Sequence, residues 1–229
     1  MAGADALLLV MQTPKEGRAK DHEDWYLTHH LPDVCGVPGS IRGEFTGVAP
    51  GTEEPQWTHA AAYWIEGSPV SYLDEVFRRA GSGQWQLTDT LDPEKTTMMI
   101  GEAITPRMKS AVTADVPPEE RLLYIVLSNS TPGDDDEFNA WYTGTHIPDV
   151  ISVPGFVAAQ RFRFVGHPAL KPAPFGYAAL YEVKKDRAAE AFADLMSRAG
   201  TPRMVVSETL AQDVLHAAAF EPLGIHVAA

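Results

Sequence analysis

"WYLTHHLPDV" occupies Trp25–Val34, and "WYTGTHIPDV" occupies Trp141–Val150. Nearly the same ten residues thus occur twice, 116 positions apart (141 − 25), about half of the 229-residue chain. Recurrence at a fixed period marks a duplicated structural unit, provided the flanking sequence repeats as well. It does. "ALLLVM" (Ala6–Met11) and "LLYIVL" (Leu122–Leu127) stand at the same offset, both apolar runs of strand length. Each decapeptide then falls at the end of a helix. Asp21, Glu23 and Asp24 in one copy, and Asp134 to Glu137 in the other, put acid at the helix start, where the dipole favours it. Pro32 and Pro148 are expected to stop these helices, because proline disfavours helical geometry in the residue before it.

Outward from there the correspondence continues. "VPGSIRGEF" and "VPGFVAAQRFRF" predict a turn and a second strand, and "THAAAYWI" and "GYAALYEV" a third, with His59 placed opposite Gly176 after a one-residue insertion. "SYLDEVFRRAGSG" and "AAEAFADLMSRAGTP" read as second helices with a basic last turn and a glycine cap. "TTMMIGEAITP" and "DVLHAAAFEPL" close the copies as fourth strands. Each copy reads β-α-β-β-α-β, a ferredoxin-like unit with a four-stranded antiparallel sheet and two helices on one face. The expected class is α+β, with repeats at 1–106 and 121–229 and a Pro-rich linker at 107–120. Each unit leaves one apolar sheet face uncovered, so the two are expected to pack sheet to sheet within one chain. The expected state is a monomer with an internal pseudo-dimer, a further homodimer through outer surfaces being left open.

Composition narrows the function. Hydrophobic residues at 45% and charged residues at 21% describe a globular chain. A net charge of −13 and a pI of about 4.9 argue against nucleic acid or an anionic membrane as partner, since both call for basic patches. The single cysteine, Cys35, precludes an internal disulfide framework and suits a reducing cytosol; its apolar "VCGV" setting reads as core filler. The opening "MAGADALLLVMQTPKEG" lacks a basic n-region and reads as a strand, not a signal peptide, so the expected location is cytoplasmic. Phosphate-binding glycine loops and a Gly-x-Ser-x-Gly elbow are absent, which weakens nucleotide and serine-hydrolase readings. His22, His29 and His30 lack the spacing of a metal site.

Helix positions four apart share a face, so Tyr26 sits beside His30 and Tyr142 beside His146. A histidine near a phenol and a carboxylate (Asp33 or Asp149, three residues on) suits general acid/base work near neutral pH. A structural alternative stands beside it for the histidines, which in a last turn can bind loose carbonyls, and is the favoured reading for Asp33 and Asp149, which can tie a turn, and for Trp25 and Trp141, which can fill core.

An aromatic-rich helix, His-[Leu/Ile]-Pro and Val-Pro-Gly before a strand resembles the dimeric α+β barrel superfamily, especially its EthD-like members. The resemblance covers both halves and implies a tandem, single-chain version of a barrel usually made by two subunits. It implies a small-molecule substrate and a pocket histidine on the first helix: His30 or His146, with Tyr26 or Tyr142 as neighbour and His29 as an additional candidate. His59, Trp25, Asp33 and Tyr177 are the candidate substrate-binding residues. The superfamily spans cofactor-free monooxygenases, isomerases, dehydratases, cyclases, haem enzymes and stress proteins. We therefore expect a lyase- or isomerase-type enzyme without cofactor or metal, acting on a small apolar, aromatic or carbonyl-bearing substrate. A cofactor-free monooxygenase and a non-catalytic binder are the alternatives. Extra histidines in the first half (His22, His29, His59) tilt the expected site toward it, against Arg161, Arg163, His216 and the aromatic row Phe175, Tyr177, Tyr181 in the second.

Overall fold

Apolar runs bounded by polar turns become strands, and the amphipathic stretches between them become helices. In the computed structural model, which describes residues 3–53 and 55–228, the chain begins with β1 (Ala6–Pro14). A helix follows in three parts: α1 (Ala19–Trp25), a π-helical turn (Tyr26–His30) and α2 (Leu31–Cys35). Next come β2 (Ser40–Val48), β3 (His59–Ile65), α3 (Pro69–Ala80) and β4 (Leu91–Ala103). After the short β5 (Met108–Lys109) the pattern recurs: β6 (Arg121–Ser130), α4 (Asp135–Trp141), a π turn (Tyr142–His146), α5 (Ile147–Ile151), β7 (Phe156–Val165), β8 (Tyr177–Lys184), α6 (Ala188–Arg198) and β9 (Leu210–Val227). The fold is mixed α+β. Met1, Ala2, Glu54 and Ala229 lie outside the described residues, so the ends of the opening stretch and of the second repeat do as well.

Two compact units result. The first comprises Ala4–Ala103, Phe164–Ala173 and the residues from Phe220 onward. Its strands run β4-β1-β3-β2, all antiparallel, with the last part of β9 beside β2 (Phe220 opposite Val48, Val227 opposite Arg42). The second comprises Ile104–Arg163 and Pro174–Ala219, with strand order β9-β6-β8-β7 and β5 along β7. Leu8 pairs with Tyr63 in the first unit, and Tyr124 with Tyr181 in the second. The offset is thus 116 residues for β1 and β6 but 118 for β3 and β8. Tyr177, not Gly176, takes the place of His59: Gln12 faces His59, and Ser128 faces Tyr177.

The first unit shows how the layers lock. Ser68 caps α3 by accepting from the Ser71 N–H, and Pro69 begins the helix, where its missing N–H costs nothing. Tyr72, Leu73 and Val76 are buried against Leu8, Tyr63 and Ile100. Gly43 on β2 is required by close approach: a Cβ there would stand 2.6 Å from Cys35 Sγ and 2.8 Å from Leu31 Cδ1. Cys35 is buried and reduced, packed as core.

The prolines do not stop the first helices. Each helix passes through a π turn, with the N–H of Leu31 donating to Tyr26 O and that of Ile147 to Tyr142 O, and then runs on through Pro32 or Pro148. The wider turn relieves the clash of the ring with the preceding carbonyl and places proline in the first turn of the next segment. Asp33 and Asp149 accordingly lie on helices, not in turns.

Candidate functional site

The π turns decide what surrounds the two candidate histidines. Their five-residue spacing stacks Trp25 on His30 (ring centroids 4.6 Å apart, 21°) and sets Trp141 against His146 at a tilt (4.9 Å, 30°). Tyr26 and Tyr142 meet the same imidazoles edge-on, each at 4.8 Å, as the shared face requires. Each tyrosine reaches a second phenol across the sheet: Tyr26 and Tyr63 hydroxyls are 3.0 Å apart, and Tyr181 donates to Tyr142 at 3.3 Å. Trp25 Nε1 donates to Gln86 O at 2.8 Å, and Trp141 Nε1 to Val205 O at 3.2 Å.

From that frame the repeats diverge. In the second unit a cavity of about 610 Å³ opens beside His146, with Tyr124, Tyr142 and Tyr181 on its wall. Val126, Val150, Leu195 and Met204 make it apolar, while Met196 and Leu215, exposed on their outer sides, form its rim. At the corresponding place in the first unit stand larger side chains. Trp85 precedes the carbonyl that holds Trp25 just as Met204 precedes the one that holds Trp141, and it packs edge-on against His30 at 6.2 Å. Phe77 and Met98 pack against the same core, where counting from the shared helix and strand starts puts Met196 and Ala217 in the second unit. Histidine number favours the first repeat, whereas the cavity of about 610 Å³ lies in the second.

Burial pushes both candidate histidines down to about 4, helped by His22 at His30 and by Arg161 at His146, so both imidazoles are neutral at pH 7. The Nδ1 of His146 is buried with no hydrogen-bond partner among the described residues. Burial also raises Tyr142, raises Tyr181 well above its ordinary value, and pushes Tyr124 up to about 12. The cavity wall therefore presents neutral phenols and a neutral imidazole.

Of the remaining candidates, His59 is buried with Nε2 3.0 Å from Glu23 Oε1 and its ring stacked on Phe45 (5.4 Å, 6°). His29 is half-buried on the π turn, beside Asp33, whose carboxyl burial raises and His29 lowers. Tyr177 is buried at the second repeat's counterpart of His59, donating to Asp135 Oδ1 at 2.8 Å and accepting from Asn139 Nδ2 at 3.0 Å. None of His29, His59, Trp25, Asp33 and Tyr177 lines the cavity. Tyr124 and Gln212, which do line it, were not among the candidates. The signal for Tyr124 was present, since Leu8 takes its place in the first repeat. No group of three or more His, Cys, Asp or Glu side chains placed to hold a metal occurs among the described residues. No described helix is long and apolar enough to cross a membrane.

No family model matches the chain, and no curated protein does. Solved structures match it along nearly its whole length. An anthrone oxidase-like protein superposes with a TM-score of 0.60 at 13% identity, over 98% of this chain and 93% of the other. A candidate monooxygenase from Lactobacillus acidophilus gives 0.56 at 9% identity, over 98% and 96%. A chlorite dismutase from Candidatus Nitrospira defluvii gives 0.54 at 8% identity, over 96% and 92%. These are proteins of the dimeric α+β barrel type, and at such identities the likeness shows that fold alone.

Proposed function

We propose that the second repeat binds a small, largely apolar ligand in the cavity at His146 and moves a proton on it without a dissociable cofactor. The observation that carries this is the unpartnered, neutral imidazole of His146 in an apolar cavity whose other polar groups are mainly tyrosine hydroxyls. A neutral imidazole accepts a proton from carbon or oxygen, and Tyr142 hydrogen-bonds the ligand oxygen on which charge develops. Elimination, isomerisation and cyclisation of an aromatic or carbonyl-bearing substrate all use these two groups. In this reading the chain is an EthD-like member of the barrel superfamily, built of two ferredoxin-like repeats and sufficient as a monomer. Light scattering should give the mass of one chain, and a stable dimer would remove that part.

Assayed on a panel of phenols and enolisable ketones, dialysed and chelator-treated protein should keep its turnover. H146A should lose about 10²–10⁴-fold, the usual worth of a general base, while H30A stays within a few-fold of wild type. Equal turnover in H146A and wild type would end the proton-transfer reading. A cofactor-free monooxygenase is the second reading, favoured by the likeness to an anthrone oxidase-like protein and a candidate monooxygenase. The same deprotonation would then precede attack of dioxygen, and oxygen uptake coupled to turnover distinguishes it.

A further inference from the structure

Arg161 on β7 is fully buried, yet of its guanidinium nitrogens only Nη1 has a hydrogen-bond partner among the described residues, Thr143 Oγ1 at 2.9 Å. Its Nε and Nη2 have none among the described residues. Its guanidinium lies over the Tyr142 ring, 4.1 Å from the centroid, with Phe138 and Tyr177 at 5.3 and 5.5 Å. Other buried arginines of the chain are matched to carboxylates: Arg42 to Glu44 at 2.9 Å, and Arg107 and Arg121 both to Glu182. Arg161 faces aromatic rings instead. The groups turned toward it are Tyr142, Tyr177, Tyr181 and His146, and Asp135 is reached only through the hydroxyl of Tyr177.

The first repeat shows that the fold does not need this charge. Phe45 stands there, paired with Ala61 as Arg161 is paired with Ala179, and stacks on Tyr26 with centroids 3.9 Å apart at 7°. Packing asks only for a flat group on the tyrosine ring. A buried cation without a counter-ion is costly, and it occurs in the repeat that has the cavity.

We propose that Arg161 is a positioning residue for an oxyanion: its fixed charge behind Tyr142 makes that hydroxyl the donor to a ligand held as a phenolate or enolate. This rests on the cavity at His146 being the ligand site. A cation on the ring face draws electron density from the phenol and strengthens its O–H as a donor. Tyr181 donates to Tyr142, which leaves the Tyr142 proton for the ligand oxygen. The ligand's own proton leaves to His146 or to solvent, and the bound anion and the guanidinium then balance in charge. Neutral, weakly acidic ligands suit such a site, and ligands already carrying a phosphate or an ammonium group do not.

4-Nitrophenol tests this directly, because its anion absorbs visible light and its titration can be followed on the protein. Bound to wild type, its ionisation constant should rise about tenfold, one pKa unit, over that in free solution. R161F, which copies the first repeat, should abolish the rise or reverse it, since an apolar cavity alone disfavours the anion. R161K should restore part of it, and Y26F in the first repeat should change nothing. A wild-type titration identical to free 4-nitrophenol overturns the proposal, as does a rise retained in folded R161F. The two readings separate cleanly. A rise retained in R161F with turnover lost in H146A removes Arg161 and leaves the proton-transfer site. A rise lost in R161F with H146A fully active keeps the counter-charge and removes the histidine's role.

Discussion

His30 and His146 carry the same motif and the same π turn, each beside a tryptophan and each half-buried, yet Trp85 packs against the first and a cavity borders the second. The motif is therefore a scaffold for a helix–sheet junction first. What differs lies elsewhere: Trp85 against Met204, Met98 against Ala217, and Phe45 against Arg161. The histidines are alike in the two halves; the cavity beside His146 and the buried charge of Arg161 are what differ.

Exchange at Phe45 and Arg161 should break the comparison most sharply. F45R puts an unpaired cation between Tyr26 and His59 rings and should cost about 3–5 kcal/mol of folding stability, as breaking a buried ion pair does. R161F should be neutral or stabilising, because it replaces an unpaired buried cation with the residue the fold accepts in the other repeat. Urea unfolding of both variants decides the matter. If R161F is as damaging as F45R, Arg161 is structural.

Reopening the first repeat comes next. M98A combined with W85M removes the side chains that stand where Ala217 and Met204 stand in the second unit. Stability should fall by about 2–5 kcal/mol, as for other large-to-small changes in packed sites. Calorimetric titration with 1-naphthol should then show two sites per chain where wild type shows one. A stoichiometry that stays at one in a folded variant would mean that something besides these two side chains closes the first repeat.

The mixed α+β order of elements was legible because similar stretches occur in both halves and each is a check on the other: a strand at Ala6–Met11 is more secure when Leu122–Leu127 resembles it. His146 and Tyr142 were legible as a pair for the same reason. Their surroundings were not. Whether a histidine borders a cavity depends on the size of residues tens of positions away, such as Met204 and Ala217, and no motif records the space that a small side chain leaves. Tyr124 lies inside an apolar run that reads as strand filling, and only the comparison with Leu8 in the other half sets it apart. The π turns carry no sequence signature of their own, so Pro32 and Pro148 read as stops although the helix accommodates them. The two-residue shift in β8 blurred the pairing of His59 with Tyr177, which the strand register resolves.

The smallest effect concerns acid. His22 is fully buried, bonded to Thr90 Oγ1 at 2.9 Å and Gln12 Oε1 at 3.2 Å, and Phe138 takes its place in the second repeat. Burial, with His59 nearby, pushes its pKa down to about 4. The sign follows from linkage: between about 6.5 and about 4 the unfolded chain binds a proton that the folded chain does not. Stability contributed by neutral His22 is therefore complete above pH 6.5 and declines as the pH falls toward 4; His30 and His146 behave alike. H22F leaves Gln12 and Thr90 without their partner, so at pH 7.5 it should be about 1–3 kcal/mol less stable than wild type. Because phenylalanine takes up no proton, that gap should narrow steadily as the pH is lowered to 4.5, and it can be followed by urea unfolding across the range. A gap that is constant with pH would mean that folding leaves the proton affinity of His22 unchanged, and a gap that widens toward pH 4.5 would mean that the folded chain holds an imidazolium.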